Sequence, residues 1–132
     1  MYKNTKIKKD LIYPKLSYQI IGCLFEVFKN LGPNRREKLY QDALKQEFIN
    51  QNIPYNDQQA IKLEYKGIKI GNNYLDFLIK DKVILEIKTG DYFNKANLDQ
   101  VLSYLKATGL KLGIIANFTR KGVKFYRVLN IK

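Results

Sequence analysis

Hydrophobic positions along the chain follow two periods, and the switches between them mark the elements. From Ser17, a residue type that caps helices, Ile20, Ile21, Leu24, Val27, Phe28 and Leu31 recur at helical spacing until Gly32-Pro33 stops the run. A second helix is predicted from about residue 35 to 52, ahead of Ile53-Pro54, with Tyr40, Leu44 and Phe48 on its apolar line. Glu37 shares that line, three residues before Tyr40, so its carboxylate should point towards the body of the protein. Period two then takes over. Ile61, Leu63 and Tyr65 precede Lys66-Gly67, and Ile68 and Ile70 follow it, which is the pattern of a hairpin. Residues 74–79 and 83–88 read as two stronger strands joined by Lys80-Asp81-Lys82. A third helix is predicted to start near Asn94, to carry Leu98, Val101, Leu102 and Leu105 on its core side, and to close at Gly109. Residues 112–118 and 123–129 read as final strands, so the predicted order is ααβββαββ, an α/β chain.

A length of 132 residues suits one core, and residues 1–132 are expected to form a single domain with a basic, flexible arm over 1–12 that carries Lys3, Lys6, Lys8 and Lys9. There is one cysteine, Cys23, and no histidine. Those two facts exclude Ser-His-Asp and Cys-His catalysis, thiolate-rich metal sites and an internal disulfide, leaving carboxylates, Lys and Tyr to carry any acid–base or metal chemistry. No apolar run is long enough for a membrane span and no apolar segment follows the basic N-terminus, so a cytoplasmic protein with no membrane partner is expected. The 24 Lys+Arg against 12 Asp+Glu give a formal charge of +12, which favours a polyanionic partner unless it merely reflects a lysine-rich composition.

The hairpin at 74–88 concentrates the candidate chemistry. If Lys80-Asp81-Lys82 forms a three-residue turn, Ile79 faces Val83, and counting outward sets Asp76 opposite Glu86. Alternation then sends Leu75, Phe77, Ile79, Val83, Leu85 and Ile87 to one face and Asp76, Glu86 and Lys88 to the other. Opposed carboxylates repel, and a hard divalent cation such as Mg²⁺ relieves the repulsion while keeping coordination positions for water and phosphate oxygens. Lys88 would stand beside that ion to orient or deprotonate water, or to meet charge on a phosphate; the alternative is a simple salt bridge to one carboxylate.

The spacing D-x9-E-x-K from Asp76 to Lys88 resembles the active-site signature of the PD-(D/E)XK nuclease superfamily. More particularly, Ile20-Ile21-Gly22, Leu31-Gly32-Pro33, Glu37-Lys38-Leu39-Tyr40, residues 104–111 and Asn117-Phe118 resemble the small bacterial GxxExxY proteins of that superfamily. The resemblance implies a restriction-endonuclease-like core, with a central mixed sheet of about five strands flanked by helices. It implies metal ligation by Asp76, Glu86 and the backbone carbonyl of Ile87, with Mg²⁺ or Mn²⁺ as the ion and Lys88 as the catalytic lysine. It places Glu37 near the metal or a metal-bound water, and makes Gln100 and Tyr104, on a helix face away from the apolar stripe, candidates for reaching the site or the substrate backbone. Two positions depart from the family: Asn34 stands for the motif's glycine, and Phe28 for a histidine common in the first helix.

The first expectation is therefore a Mg²⁺- or Mn²⁺-dependent phosphodiesterase that cuts nucleic acid, DNA before RNA, with low sequence specificity, in repair or defence. The alternatives are a nucleic-acid-binding module that keeps the fold and turns over little, and an accessory subunit of a larger complex, with homodimerisation also open.

Overall fold

The computed structural model describes residues 12–131. Lys3, Lys6, Lys8 and Lys9 lie outside the described residues. The elements are α1 (Pro14–Leu31), α2 (Glu37–Asn50), β1 (Tyr55–Tyr65), β2 (Ile68–Ile79), β3 (Val83–Thr89), α3 (Lys95–Thr108), β4 (Leu112–Thr119) and β5 (Gly122–Leu129). The order agrees with the sequence reading. One sheet holds all five strands in sequence order, antiparallel except for β3 with β4, which run parallel because α3 carries the chain back between them.

Helix α1 starts earlier than its hydrophobic stripe suggested. Pro14 occupies the first turn, where its fixed φ suits the helix and its missing N–H costs nothing. Ser17 is therefore not a cap: it is buried inside α1, and its hydroxyl accepts from Arg127 Nη1 of β5 at 2.6 Å. Strands β1 and β2 are longer than the alternation indicated: β1 already begins at Tyr55, where Asn56 to Ala60 are exposed and polar or small and so carry no hydrophobic alternation, and β2 runs unbroken from Ile68 through Gly71-Asn72-Asn73 to Ile79.

Two cores sandwich the sheet. Beneath it, α1 and α2 pack Ile20, Leu24, Leu44 and Phe48 against Phe77, Leu85, Ile87 and Ile114; above it, α3 packs Val101, Tyr104 and Leu105 against Leu75, Ile84 and Ile115. Strand β3 is thus buried on both faces, as consecutive Val83-Ile84-Leu85 require. The expected alternation fails at one place. Leu75 belongs to the α3 core while Phe77 belongs to the α1/α2 core, so β2 changes face at Asp76. Strand β1 changes with it: Gln58, in register opposite Asp76, has φ +52, and pairing skips from Asp57↔Phe77 to Gln59↔Leu75.

The close seat of α3 on the sheet depends on Gly113. A Cβ there would lie 2.5 Å from Val101 Cγ1 and 3.6 Å from Leu105 Cδ1. Gly113→Ala should lower stability by about 1–3 kcal/mol through overpacking, and adding Val101→Ala should return part of that loss. Denaturant unfolding checks this, and an unchanged midpoint for Gly113→Ala would contradict the packing.

Candidate active site

Paired strands use up their backbone groups on each other, and the site exists where β2 and β3 stop doing so. Their ladder runs Ile79↔Val83, Leu78↔Ile84, Phe77↔Leu85, the register that the short turn implied. The next step sets Asp76 against Glu86. There the side chains take over the bonding: Glu86 Oε2 accepts the Asp76 N–H at 2.8 Å, and Asp76 Oδ2 accepts the Ile87 N–H at 2.8 Å. Each carboxylate commits one oxygen. Among the described residues no protein donor reaches the other, and no buried side-chain oxygen is left unpartnered, so Asp76 Oδ1 and Glu86 Oε1 meet solvent. The Ile87 carbonyl points to the same strand edge as its N–H, into the gap between β2 and β3. Lys88, half-buried, follows on β3.

Glu37 comes from the other side, at the first turn of α2. Asn34 reverses the chain ahead of it at φ +63, a left-handed conformation that Asn tolerates and that explains why it can replace glycine. Tyr40 then clamps the turn. Its hydroxyl donates to the Gly32 carbonyl at 2.7 Å and accepts from the Arg35 N–H at 3.3 Å, while its ring stacks on Phe118 with centroids 4.0 Å apart. The clamp orients α2 so that the half-buried Glu37 feels both Asp76 and Lys88.

Burial and mutual repulsion raise the pKa values of these acids. Glu86, 5 % exposed, is pushed up from an ordinary 4.5 to about 8, first by burial and then by Asp76, against the opposing pull of the Asp76 N–H and Lys88. Burial also raises Asp76, with the Ile87 N–H and Lys88 opposing. Glu37 is raised by burial and then by Asp76, with Lys88 opposing.

The helix face expected for Gln100 and Tyr104 divides. Gln100 is exposed on α3, and its backbone carbonyl accepts from Ser103. Tyr104 does not lie on a solvated face: it is 5 % exposed and part of the α3 core, because Val101, Tyr104 and Leu105 together make the stripe that meets the sheet. Its phenol is raised by burial, then by the nearby charges of Glu86 and Asp76. Sequence reasoning missed the Tyr40 clamp, which the Glu-x-x-Tyr spacing of Glu37 and Tyr40 could have suggested, and the reversal at Gln58, for which no residue-type signal exists.

Among the described residues no three or more Asp, Glu or Cys side chains form a ready-made cage for a metal ion. The donors are all oxygen and few, a set that suits a hard cation retaining its own waters and not a soft one. Among the described residues no helix is long and apolar enough to cross a membrane.

The family comparison agrees with this frame. A family model for the PD-(D/E)XK nuclease superfamily matches residues 14–128. The crystal structure of SSO0001 superposes with a TM-score of 0.51 at 13 % identity, over 89 % of this chain and 78 % of that one. An alkaline exonuclease from Laribacter hongkongensis superposes with a TM-score of 0.42 at 15 % identity, over 71 % of this chain and 56 % of that one. The heme chaperone HemW of Lactococcus lactis subsp. lactis (strain IL1403) is 43 % identical over 61 residues, which is 46 % of this chain and 16 % of that protein.

The raised acids make stability depend on pH. Between 4.5 and about 8 the folded chain keeps the Glu86 proton that the unfolded chain releases, so stability is greatest at the acid end and falls as pH rises through that window. Asp76 and Glu37 act in the same direction. In chelator, Glu86→Gln should flatten this dependence and melt several degrees above the wild type near pH 8. A wild-type melting temperature that does not fall across the window would contradict the burial argument.

Proposed function

Because this chain belongs to the PD-(D/E)XK nuclease superfamily, with a restriction-endonuclease-like α/β fold, we propose that it is a divalent-metal-dependent phosphodiesterase that cuts nucleic acid, DNA foremost, with low sequence specificity. The observation that supports this most is the reciprocal bonding of Asp76 and Glu86 across the opened strands, which leaves one oxygen of each acid to solvent two residues before Lys88. Within the superfamily, Asn34, Glu37 and Tyr40 support a place among the GxxExxY proteins, since they act as one unit that presents Glu37 to the site.

Asp76, Glu86 and the Ile87 carbonyl would hold Mg²⁺ or Mn²⁺, which when bound supplies Lewis-acid stabilisation of phosphoryl charge and a more acidic water. Lys88 would orient the attacking water through its ammonium or meet the charge that builds on the phosphate oxygens. Glu37 would accept a hydrogen bond from water on the opposite side of the acidic pair. Tyr104, whose phenol feels the charge of both acids, and Gln100, exposed one turn earlier on α3, would reach the site or the substrate backbone. Lys3, Lys6, Lys8 and Lys9 would add phosphate attraction.

A lysine that works in the transition state affects rate more than affinity. Lys88→Ala should keep metal and nucleic-acid binding within a few-fold while cleavage falls roughly 100-fold or more. Lys88→Met, which preserves the side chain's apolar bulk, should behave alike. Single-turnover assays on labelled DNA and RNA in Mg²⁺ and Mn²⁺ check this. Lys88→Ala cutting as fast as wild type would refute the mechanism, and a wild type that binds but never cuts would leave a binding module.

A further inference from the structure

The link from β3 to α3, residues 90–94, is strapped down across the sheet. The Gly90 N–H donates to the Phe118 carbonyl at 3.0 Å, and Asn117 Nδ2 donates back to the Gly90 carbonyl at 3.0 Å. Asp91 then accepts from both the Arg120 N–H and its guanidinium Nε, and Phe93 stacks on Tyr126 of β5 with centroids 4.0 Å apart. The strap therefore passes from the end of β3 over β4 to β5. Between it and the β4–β5 turn lies a notch of about 230 Å³, lined by Asp91, Tyr92, Thr119, Arg120, Lys121 and Lys124.

Three features of this notch point to one ligand. Its three cations face a single carboxylate, and that carboxylate is already bonded to Arg120. Tyr92 is 94 % exposed at its rim, offering both ring faces. Strand register places the notch in line with the site: Lys88 pairs with Asn117, and Asn117 with Lys124, so Lys124 stands two strands from Lys88, about 10 Å away. That distance is roughly three steps of a stacked nucleic-acid strand.

We propose that this notch is a second nucleic-acid subsite, which takes a non-scissile phosphate on Arg120, Lys121 and Lys124 and stacks a neighbouring base on Tyr92, so that the strand runs across the ends of β3, β4 and β5. The proposal rests on the nuclease reading of the Asp76–Glu86 site and adds the direction in which the strand leaves it. Cations that grip the backbone beside an aromatic that stacks on any base give affinity without sequence preference.

Binding of a labelled short oligothymidylate, followed by fluorescence anisotropy in chelator across a salt series, separates the possibilities. The double variant Lys121→Glu/Lys124→Glu should weaken binding at least tenfold and lower the log–log salt slope by about one to two units, since each phosphate contact on a single strand contributes about 0.7. Lys62→Glu/Lys66→Glu, which makes the same change in net charge on the exposed β1–β2 ribbon, should stay within about threefold of wild type. Tyr92→Ala should cost about tenfold and Tyr92→Phe little, as stacking predicts. Mn²⁺ affinity should not move in any of these. Equal losses for the two double variants would reduce the notch to a net-charge effect and overturn the subsite. A wild type that binds and cuts while the notch variants remain indifferent sinks the subsite alone, whereas a wild type that neither binds nor cuts removes the nuclease reading and the subsite together.

Discussion

Two carboxylates that replace backbone bonds hold this molecule's working end together. Where β2 and β3 part, the N–H groups of Asp76 and Ile87 would otherwise be left without strand partners in a largely buried place, at about 1–3 kcal/mol each. Glu86 and Asp76 satisfy them crosswise. The same exchange brings two acids together in a poorly solvated gap, which is why Glu86 keeps its proton to about 8. Hydrogen bonding thus favours the pair in this position while electrostatics disfavours its charged form, a conflict that the proposed divalent cation would relieve.

The rest of the fold keeps that gap open and supplied. Strand β3, buried on both faces between α3 and the α1/α2 layer, cannot slide without exposing a core. Gly113 lets α3 sit close on the sheet, with Tyr104 near enough to feel the charge of both acids. The face change shared by Asp76 and Gln58 moves Leu75 and Ile61 from the α1/α2 side onto the α3 core, and the β2–β3 ladder ends there, at Phe77↔Leu85. On the opposite side, Tyr40 ties the Gly32–Arg35 turn and delivers Glu37.

Much of this was legible in the amino-acid order because local chemistry decided it. The short link at residues 80–82 fixed the Ile79↔Val83 pairing, and the pairing carried Asp76 opposite Glu86. Gly32-Pro33 and Gly109 ended their helices as glycine and proline dictate. What escaped the reading depended on partners distant in sequence. Ser17 looked like a cap, but Arg127 of β5 claims its hydroxyl. Leu75 looked like a neighbour of Phe77, but the reversal at Asp76 puts it on the α3 face. Tyr104 looked solvated beside Gln100, yet its ring is buried in the α3 core, near enough to Glu86 and Asp76 for their charges to raise its phenol. The strap at residues 90–94 has no pattern at all; its course is set by Asn117, Arg120 and Tyr126 on strands that follow later.

If the opened strands at Asp76 and Glu86 form a metal site, calorimetric titration of Mn²⁺ reads it directly, without requiring any substrate. Wild-type protein should bind saturably, and more tightly near pH 8 than near pH 6, because the ion must displace the Glu86 proton whose pKa is about 8. Asp76→Ala and Glu86→Ala should each weaken binding by about tenfold or more, since each removes a charged ligand from a site that has few. Binding that is indifferent to both substitutions, or to pH across that range, would contradict the account.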